Sequence, residues 1–325
     1  MKKRILAAVL TAVMAMGALT GCGSTGSKDN YTIGIMQYAV HGSLDNCREG
    51  FLQGLAEEGI VEGENLTIEY VNAQADNGTS AMTASNFVSK KVDMICAIAT
   101  PCAMAAYNAT MNTDIPVIYT AVSDPVEAGL ANEDGTPVGN ITGTSDLAPL
   151  DQQEAMIKEL VPDVTQVGIV YCSAEANSVF QANQIEAALE KDGIAYKEYS
   201  AADSNEIQSV VTKAVSECDC LYVPTDNTMA ANVDIIKNVT VPAGIPVIAG
   251  EEGICQGALA TLSISYYDIG QAAGEMAYEI LVNGKDPGTM EIEYASATTK
   301  EYNADVADAL GITIPDDYVK LSTEE

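Results

Sequence analysis

Residues 33–60 read IGIMQYAVHGSLDNCREGFLQGLAEEGI, and residues 167–194 read VGIVYCSAEANSVFQANQIEAALEKDGI. In each stretch a Gly-Ile pair lies in a short apolar run, and a second Gly-Ile pair follows 25 residues later. The apolar run is typical of a buried strand, and the residues between the two pairs have the length of a helix. A Glu-Tyr pair then lies in the next β-rich run of both copies. The chain therefore contains a repeated strand–helix–strand unit.

The repetition continues beyond each copy. An apolar run that begins at Asp93 is followed by a helical pattern and then by the tetrapeptide Ile-Pro-Val-Ile at 115–118. A run that begins at Asp219 is followed in the same way by Ile-Pro-Val-Ile at 245–248. Two halves of the chain thus share one order of elements, which predicts two lobes of one architecture.

Short β-rich runs alternate with helical stretches along the whole chain. Strands are predicted at 31–37, 66–72, 92–99, 116–121, 166–172, 195–200, 218–224 and 246–249. Helices are predicted at 43–58, 80–91, 102–112, 150–160, 176–192, 204–216 and 228–238. This alternation is typical of α/β proteins with doubly wound parallel sheets that are buried on both faces.

We expect the two lobes to be joined by three crossings of the chain, which act as a hinge. The first lobe would hold residues 31–143 and 263–290, and the second would hold residues 144–262 and 291–325. Open α/β sheets bind ligands at the carboxyl ends of their strands. Two such edges that face each other form a cleft, and this cleft can close on a small molecule.

The N-terminus has the features of an export signal. Lys2, Lys3 and Arg4 precede an uncharged apolar run that is short for a membrane-spanning helix. The run ends in Leu-Thr-Gly-Cys at 19–22, which resembles a bacterial lipobox. We therefore expect residues 1–21 to be a lipoprotein signal peptide, Cys22 to be lipidated, and residues 22–30 to be a flexible tether. The alternative is an ordinary cleaved signal with an incidental cysteine.

Composition excludes several classes of function. The formal net charge of −31 disfavours nucleic acid and anionic lipid headgroups as partners. Seven cysteines remain after Cys22; they lie mostly in apolar runs without a Cys-x-x-Cys pair, so we expect buried free thiols. The chain has a single histidine, His41, so neither a metal site nor a Ser-His-Asp triad is expected. Glycine-rich nucleotide-binding motifs are missing too, and we predict a protein without a cofactor that is not an enzyme.

Several long motifs lie at the predicted strand ends, and they carry a family resemblance. They are Ile-Ala-Thr-Pro at 98–101, Tyr-Thr-Ala-Val-Ser-Asp-Pro at 119–125, Asn-Ile-Thr-Gly-Thr-Ser-Asp at 140–146, Ser-Ala-Glu-Ala-Asn-Ser at 173–178, Tyr-Val-Pro-Thr-Asp-Asn at 222–227, Gly-Ala-Leu-Ala-Thr at 257–261 and Ala-Leu-Gly-Ile-Thr-Ile-Pro at 309–315. From about residue 31 to residue 318 the chain resembles the ABC-transporter substrate-binding family that includes the tryptophan/tyrosine-binding lipoproteins. The resemblance implies the type I periplasmic-binding fold, solute uptake, and in some members aromatic amino acids.

An amino acid needs hydrogen-bond donors for its carboxylate and an acceptor for its ammonium group. Arg48 is the one arginine after the leader and lies inside the first predicted helix, so we expect hydroxyls and helix N-termini to bind the carboxylate. Thr100, Thr120 and Ser123 are the candidates in the first lobe, and Gln37 ends its first strand. Plain helix capping is the competing interpretation for such residues.

The second lobe supplies the remaining candidates. Ser173, Asn177 and Ser178 lie at the start of a helix and offer further donors. Asp226, with Asn227 beside it, is expected to receive the ammonium group, and Glu251 offers the same chemistry one strand further on. A cap or a hinge charge is the alternative for both carboxylates. For His41 a capping or surface position is favoured narrowly over a place in the ligand pocket.

The sequence predicts an extracytoplasmic, membrane-anchored solute-binding lipoprotein. We expect it to act as a monomer, to capture an aromatic amino acid, and to deliver it to the permease of an ABC importer. Branched-chain or other amino acids are alternative ligands. A surface receptor that uses the same cleft for sensing, and a small-molecule enzyme built on this fold, are the alternative functions.

Overall fold

A computed structural model describes residues 30–321 of the protein. The predicted signal peptide, Cys22 and all of the tether except its last residue lie outside this range. No helix between residues 30 and 321 has the length and apolar character that crossing a bilayer would require. The described chain forms two separate parallel-rich sheets with helices packed on both faces of each.

The strands of the described chain are β1 Tyr31–Gln37, β2 Leu66–Asn72, β3 Met94–Ile98, β4 Val117–Thr120, β5 Ile141–Ser145, β6 Gln166–Cys172, β7 Ala195–Ala201, β8 Cys220–Val223, β9 Val247–Ala249, β10 Ala260–Ser263, β11 Glu293–Tyr294, β12 Thr299–Tyr302 and β13 Val319–Lys320. The helices are α1 Gly42–Glu57, α2 Asn77–Lys90, α3 Thr100–Thr110, α4 Leu150–Leu160, α5 Ala176–Asp192, α6 Ile207–Val215, α7 Asn227–Ala230, α8 Val233–Ala243, α9 Glu252–Cys255, α10 Tyr266–Leu281 and α11 Ala304–Leu310.

The two sheets have the same winding. In the first sheet the order is β11-β5-β4-β3-β1-β2, and in the second it is β13-β12-β10-β9-β8-β6-β7. The strand that opens each half, β1 or β6, lies between the next two strands of its half, and these pairs are parallel. In doubly wound sheets this reversal of strand order is where ligands bind, at the carboxyl ends of the strands. The predicted pair of α/β lobes is confirmed.

The repeated Gly-Ile pairs have the same structural roles in both lobes. Gly59 and Gly193 have positive φ values of 86° and 72°, and the amide of the isoleucine after each bonds to the carbonyl five residues earlier. This geometry ends a helix, and glycine adopts it without a steric penalty. The strand glycines make room for packing, because a Cβ on Gly34 would lie 2.5 Å from Phe87 and one on Gly168 would lie 2.6 Å from Leu221.

Three segments cross between the sheets. They join β5 to α4, β10 to α10, and β11 to β12. The sheets differ from the predicted lobe limits in three places. Strand β5 continues in the first sheet to Ser145, beyond the predicted limit at Gly143, and β11 pairs with β5 rather than with a strand of the second sheet. Strand β10 of the second sheet ends at Ser263, one residue inside the range predicted for the first lobe. These differences arise because backbone pairing, which the local pattern does not reveal, decides which sheet a short strand joins.

Other elements also differ from the prediction. The stretch predicted as one helix at 228–238 forms two helices, α7 and α8. Strands β5 and β10 were not predicted as strands, although both are fully buried. Cys47, Cys96, Cys102, Cys172, Cys218, Cys220 and Cys255 are buried and free of disulfides, as the sequence predicts.

Helix α10 returns to the first lobe and packs against α1 with very close backbones. A Cβ on Gly270 would lie 2.2 Å from the carbonyl oxygen of Cys47, and one on Gly50 would lie 2.1 Å from the carbonyl oxygen of Tyr267. No side chain fits at these positions, so glycine lets the two helices meet directly. This contact fixes the end of the second crossing to the first lobe.

We expect Gly270→Ala to lower the free energy of unfolding by about 1–3 kcal/mol, because the methyl group must push α10 away from α1. Urea unfolding followed by circular dichroism measures this change. Gly42→Ala is the matched control, since no atom lies within 4 Å of a Cβ there, and it should change stability by no more than about 0.5 kcal/mol. Equal midpoints for Gly270→Ala and the wild type would contradict the close helix contact.

Candidate functional site

The strand ends of the two sheets face each other across a closed cleft. Five hydrogen bonds among the described residues link the lobes there, and each involves a side chain. They run from Ser43 Oγ to Glu251, from the amide of Gly253 to Ser43 Oγ at 3.2 Å, from Gln181 Nε2 to Ser123 Oγ at 3.1 Å, between His41 Nε2 and Asn227 Oδ1 at 3.3 Å, and from Asn77 Nδ2 to the carbonyl of Ala174 at 3.1 Å. The lobes are therefore in contact along the edge where the predicted loops lie.

A small cavity lies at the centre of this contact, and it has no room for a water-sized molecule. Its walls come from both lobes and from the hinge: His41, Leu44, Asp146, Thr225, Asp226, Asn227, Glu251 and Tyr266. Typical small-molecule sites have volumes of about 300–1,000 Å³. A solute therefore requires the lobes to move apart before it can enter, as expected for a hinged cleft.

Two further cavities open at the sides of the cleft. One, of about 390 Å³, is lined by Thr100 and by Asn177 and Phe180 of α5. The other, of about 340 Å³, is lined by His41 and Ser43 of the first lobe and Ala230 of the second. Both contain residues of the two lobes, so the space around the cleft extends beyond the central cavity on either side.

Four buried polar atoms at the cleft have no hydrogen-bond partner among residues 30–321. They are Thr100 Oγ1, Asn177 Oδ1, His41 Nδ1 and Asp146 Oδ1. A buried polar atom that lacks a partner costs about 1–3 kcal/mol. Because they belong to both lobes and to the hinge, these atoms mark where the polar groups of a solute would be satisfied.

The backbone just before two of the cleft loops is strained. Ala99 ends the approach from β3 to α3 with a φ of 82°, and Ala121 follows β4 with a φ of 57°. Residues with a Cβ rarely adopt such angles, which cost about 1–3 kcal/mol and are concentrated at functional sites. The first of these strained residues lies directly before Thr100, which lines the side cavity of the cleft.

Gln37, a predicted ligand residue, has both ends of its amide occupied. Its Nε2 donates to the carbonyl of Ala39 at 2.8 Å and to Asp45 at 3.0 Å. Its Oε1 accepts from Arg48 at 3.2 Å and from the Tyr70 hydroxyl at 3.4 Å. Gln37 thus connects β1 to α1 and β2 inside the first lobe.

The two carboxylates predicted to receive the ammonium group are helix caps. Asp226 accepts from the amide of Met229 at 2.8 Å and from that of Cys172 at 2.6 Å. Glu251 accepts from the amides of Gly253 and Ile254, both at 2.7 Å, as well as from Ser43. Burial and the neighbouring charge of Glu175 raise the pKa of Asp226 well above its ordinary value.

The other predicted residues are placed as follows. Thr120 is buried inside the first lobe, between Cys47 and Thr144, whereas Ser123 faces α5. Ser173 donates to the carbonyl of Ala201, and Ser178 donates to that of Thr225. Asn227 lines the central cavity. The structure thus brings most predicted residues to the cleft but turns Gln37 and Thr120 into the first lobe.

Glu175 is a buried carboxylate that the sequence analysis did not select. It is fully buried and accepts from the amide and side chain of Asn227, the amide and hydroxyl of Thr228, and the side chain of Asn177. It therefore holds the loop after β8 against the start of α5. Its position inside the Ser-Ala-Glu-Ala-Asn-Ser motif was the signal that could have identified it.

Asp146 is the second residue that the sequence analysis left out. It follows β5 at the first crossing and lines the central cavity, and its Oδ2 accepts from the Tyr266 hydroxyl at 3.2 Å. Burial raises its pKa to about 6, although the hydroxyls of Ser123 and Tyr266 partly oppose the rise. Asp146 ends the Asn-Ile-Thr-Gly-Thr-Ser-Asp motif, so the motif pointed to it.

Comparisons with known proteins agree with this architecture. A family model described as "ABC transporter substrate binding protein" matches residues 32–325. A tyrosine-binding protein of Clostridioides difficile is 38% identical over 335 residues, which cover 99% of this chain and 94% of that protein. The match extends over the whole length of both proteins.

Two solved structures are similar in both sequence and shape. One is an ABC domain from Streptococcus pneumoniae in complex with L-Trp, with 34% identity, a TM-score of 0.83, and coverage of 88% of this chain and 96% of that one. The other is the ligand-free, open structure of a substrate binding protein with adhesive properties from Clostridium difficile. Its identity is 39% and its TM-score 0.67, with coverage of 90% and 100%.

This chain is more similar in shape to the L-Trp complex than to the open protein, although its sequence is more similar to the latter. Hydrogen bonds across the cleft explain the difference, because they hold the lobes together as an open form cannot. The family model and the relatives span nearly the whole chain, and the two sheets have the type I periplasmic-binding fold. The chain therefore belongs to the family of ABC transporter substrate binding proteins.

Proposed function

We propose that this protein captures an aromatic amino acid outside the cytoplasm and delivers it to the permease of an ABC importer. One observation carries the proposal: unpartnered polar atoms from both lobes and the hinge converge on a closed cleft between matching strand ends. The tyrosine-binding and L-Trp-bound relatives support the ligand class. Ligand contacts from both lobes would favour the closed form, which then docks on the permease.

The carboxylate of the ligand would bind at the start of α3. Thr100 opens this helix, is 2% exposed, and has an unpartnered hydroxyl oxygen. Helix N-termini favour anions because their first amides lack partners. Arg48 is not placed to bind the ligand carboxylate, because its side chain contacts Gln37, Asp45 and the Tyr70 ring.

Among the residues predicted from the sequence, we assign ligand contact to Thr100 and Asn177, which have unpartnered oxygens. We add Ser123 and Asn227, because their hydrogen bonds across the cleft, to Gln181 and His41, would break when the lobes part. Asn177 faces Thr100 from the opposite lobe across the side cavity that Phe180 also lines. The remaining candidates hold the loops: Gln37, Thr120, Ser173, Ser178, Asp226 and Glu251 all have protein partners.

The ring of the ligand would be covered by apolar and aromatic groups at the cleft. Leu44 and Tyr266 line the central cavity, and Phe180 lines the side cavity. Aromatic side chains are bound by such surfaces through burial and ring contacts. Opening of the lobes would provide the volume that the closed cavity lacks.

Membrane attachment belongs to the same proposal. Residues 1–21 would be removed as a signal peptide, Cys22 would carry the lipid, and residues 22–30 would tether a monomeric two-lobed domain. A lipid anchor with a polar tether keeps a binding protein close to its permease while the domain moves.

We expect tyrosine, tryptophan or phenylalanine to raise the melting temperature of purified residues 23–325, because a ligand that binds only the folded state stabilises it. Thr100→Val keeps the side-chain shape but removes the hydroxyl, and it should weaken binding about 3- to 10-fold in calorimetry. Thr212→Val, on the exposed face of α6, is the control and should bind normally. A screen in which no common amino acid binds would contradict the ligand class.

Replacement of the lipidated cysteine should separate the protein from the membrane. In cells that express Cys22→Ala, we expect the protein to leave the membrane fraction, because the acyl chains supply its membrane affinity. Fractionation followed by immunoblotting measures this change, and Ser24→Ala is the control that should stay membrane-bound. Retention of Cys22→Ala in the membrane fraction would argue against the lipid anchor.

A further inference from the structure

We propose that Asp146, rather than Asp226 or Glu251, receives the ammonium group of the ligand. The inference rests on the proposed capture of an amino acid and names the residue that distinguishes an amino acid from a simple carboxylic acid. Asp146 lies at the first crossing between the lobes, so the charge of the ligand would act directly at the hinge.

The first reason is that one carboxylate oxygen of Asp146 is free to accept a hydrogen bond. Its side chain is in the central cavity, the residue is 4% exposed, and its Oδ2 accepts from the Tyr266 hydroxyl. The Ser123 hydroxyl lies close enough to lower the pKa of the carboxyl, but it does not reach hydrogen-bond geometry at Oδ1. Oδ1 has no donor among the described residues. A buried carboxylate oxygen without a donor is costly, and a ligand ammonium would supply both the hydrogen bond and the opposite charge.

The competing carboxylates are already occupied. Asp226 caps α7 and also accepts from the amide of Cys172, while Glu251 caps α9 and accepts from Ser43. Glu175 accepts from two residues of the loop after β8 and from Asn177. If any of these carboxylates turned toward a ligand, backbone amides would lose their acceptors, whereas Asp146 can bind without such a loss.

The groups around Asp146 leave it without a fixed positive charge. Tyr266 of α10, Ser123 after β4 and the buried Cys47 thiol of α1 are neutral neighbours. Glu251 after β9 adds negative charge from the second lobe. Among residues 30–321, no lysine or arginine lines the central cavity.

His41 is the imidazole side chain among the residues that line the central cavity, and its Nε2 lies 3.3 Å from Asn227 Oδ1. It therefore has to be separated from Asp146 in the test.

Binding of the ligand is then coupled to the loss of a proton from the Asp146 carboxyl. Burial raises the pKa of Asp146 to about 6, so the ligand-free closed form holds a proton on this carboxyl at mildly acidic pH. When the ammonium arrives, the O–H bond of Asp146 breaks, the proton leaves to solvent, and the carboxylate pairs with the ammonium. Affinity should therefore rise with pH up to about 6 and fall about tenfold per unit below it. Ligand-free stability should change in the opposite sense, increasing as pH falls through 6.

The test compares L-tyrosine with its deaminated analogue 3-(4-hydroxyphenyl)propionate on the full chain purified in detergent. In wild type, calorimetry at pH 5.5 in two buffers of different ionisation enthalpy should show proton release with tyrosine and none with the analogue. Asp146→Asn should abolish the proton release and weaken tyrosine binding about 30-fold or more, as for loss of a buried charge partner. Binding of the analogue should stay at its wild-type value, which also shows that the variant is folded.

Three further variants test whether the effect is specific to Asp146. Asp226→Asn and Glu251→Gln should weaken tyrosine and the analogue by the same factor, because they disturb loops rather than one ligand group. His41→Gln should leave the proton release in place.

Equal losses for both ligands in Asp146→Asn, selective loss of tyrosine in Asp226→Asn or Glu251→Gln, or abolished proton release in His41→Gln would overturn the assignment. If wild type binds the analogue and tyrosine equally well, Asp146 is excluded as well. If it binds no amino acid at all, the proposed function fails, and the assignment falls with it.

Discussion

The closed cleft buries four carboxylates, and no lysine or arginine of the described residues lines its central cavity. A buried charge is tolerated only where hydrogen bonds or an opposite charge compensate for its lost hydration. Glu175, Asp226 and Glu251 are compensated by backbone amides at the starts of α7 and α9 and at the end of β6. Asp146 accepts from the Tyr266 hydroxyl instead, and its Oδ1 has no donor among the described residues. This difference separates Asp146 from the other three carboxylates of the cleft.

The doubly wound topology explains why the amides are there. Every parallel strand of this fold ends at the same edge, and the next helix begins close by, so unpaired helix amides accumulate at the cleft. In the second lobe these amides donate to carboxylates of the same lobe, and the hydrogen bonds hold its loops in place. In the first lobe the start of α3 has no such carboxylate, and Thr100 faces the cleft with an unpartnered oxygen. The two lobes therefore have one topology but differ in how the helix starts at the cleft are capped.

Much of the fold could be predicted because the relevant signals are local. Gly59 and Gly193 end helices, and the alternation of apolar runs with helical stretches predicted both sheets. The site was harder to predict. Asp226 and Asp146 both follow a strand in the sequence, and what separates them is the number of amides that face each one after folding. The role of Gln37 could not be predicted for the same reason, since its partners Asp45, Arg48 and Tyr70 come from two other elements.

The glycine contact between α1 and α10 also sets an order of assembly. Helix α1 belongs to the first part of the chain, but the surface that covers it is made only when residues 266–281 arrive, after nearly the whole second lobe. During synthesis the second lobe can therefore complete its main sheet while the first still exposes one helix face. A chain that finishes its earliest lobe last keeps that lobe incomplete for longer, with the apolar face of α1 uncovered until α10 arrives.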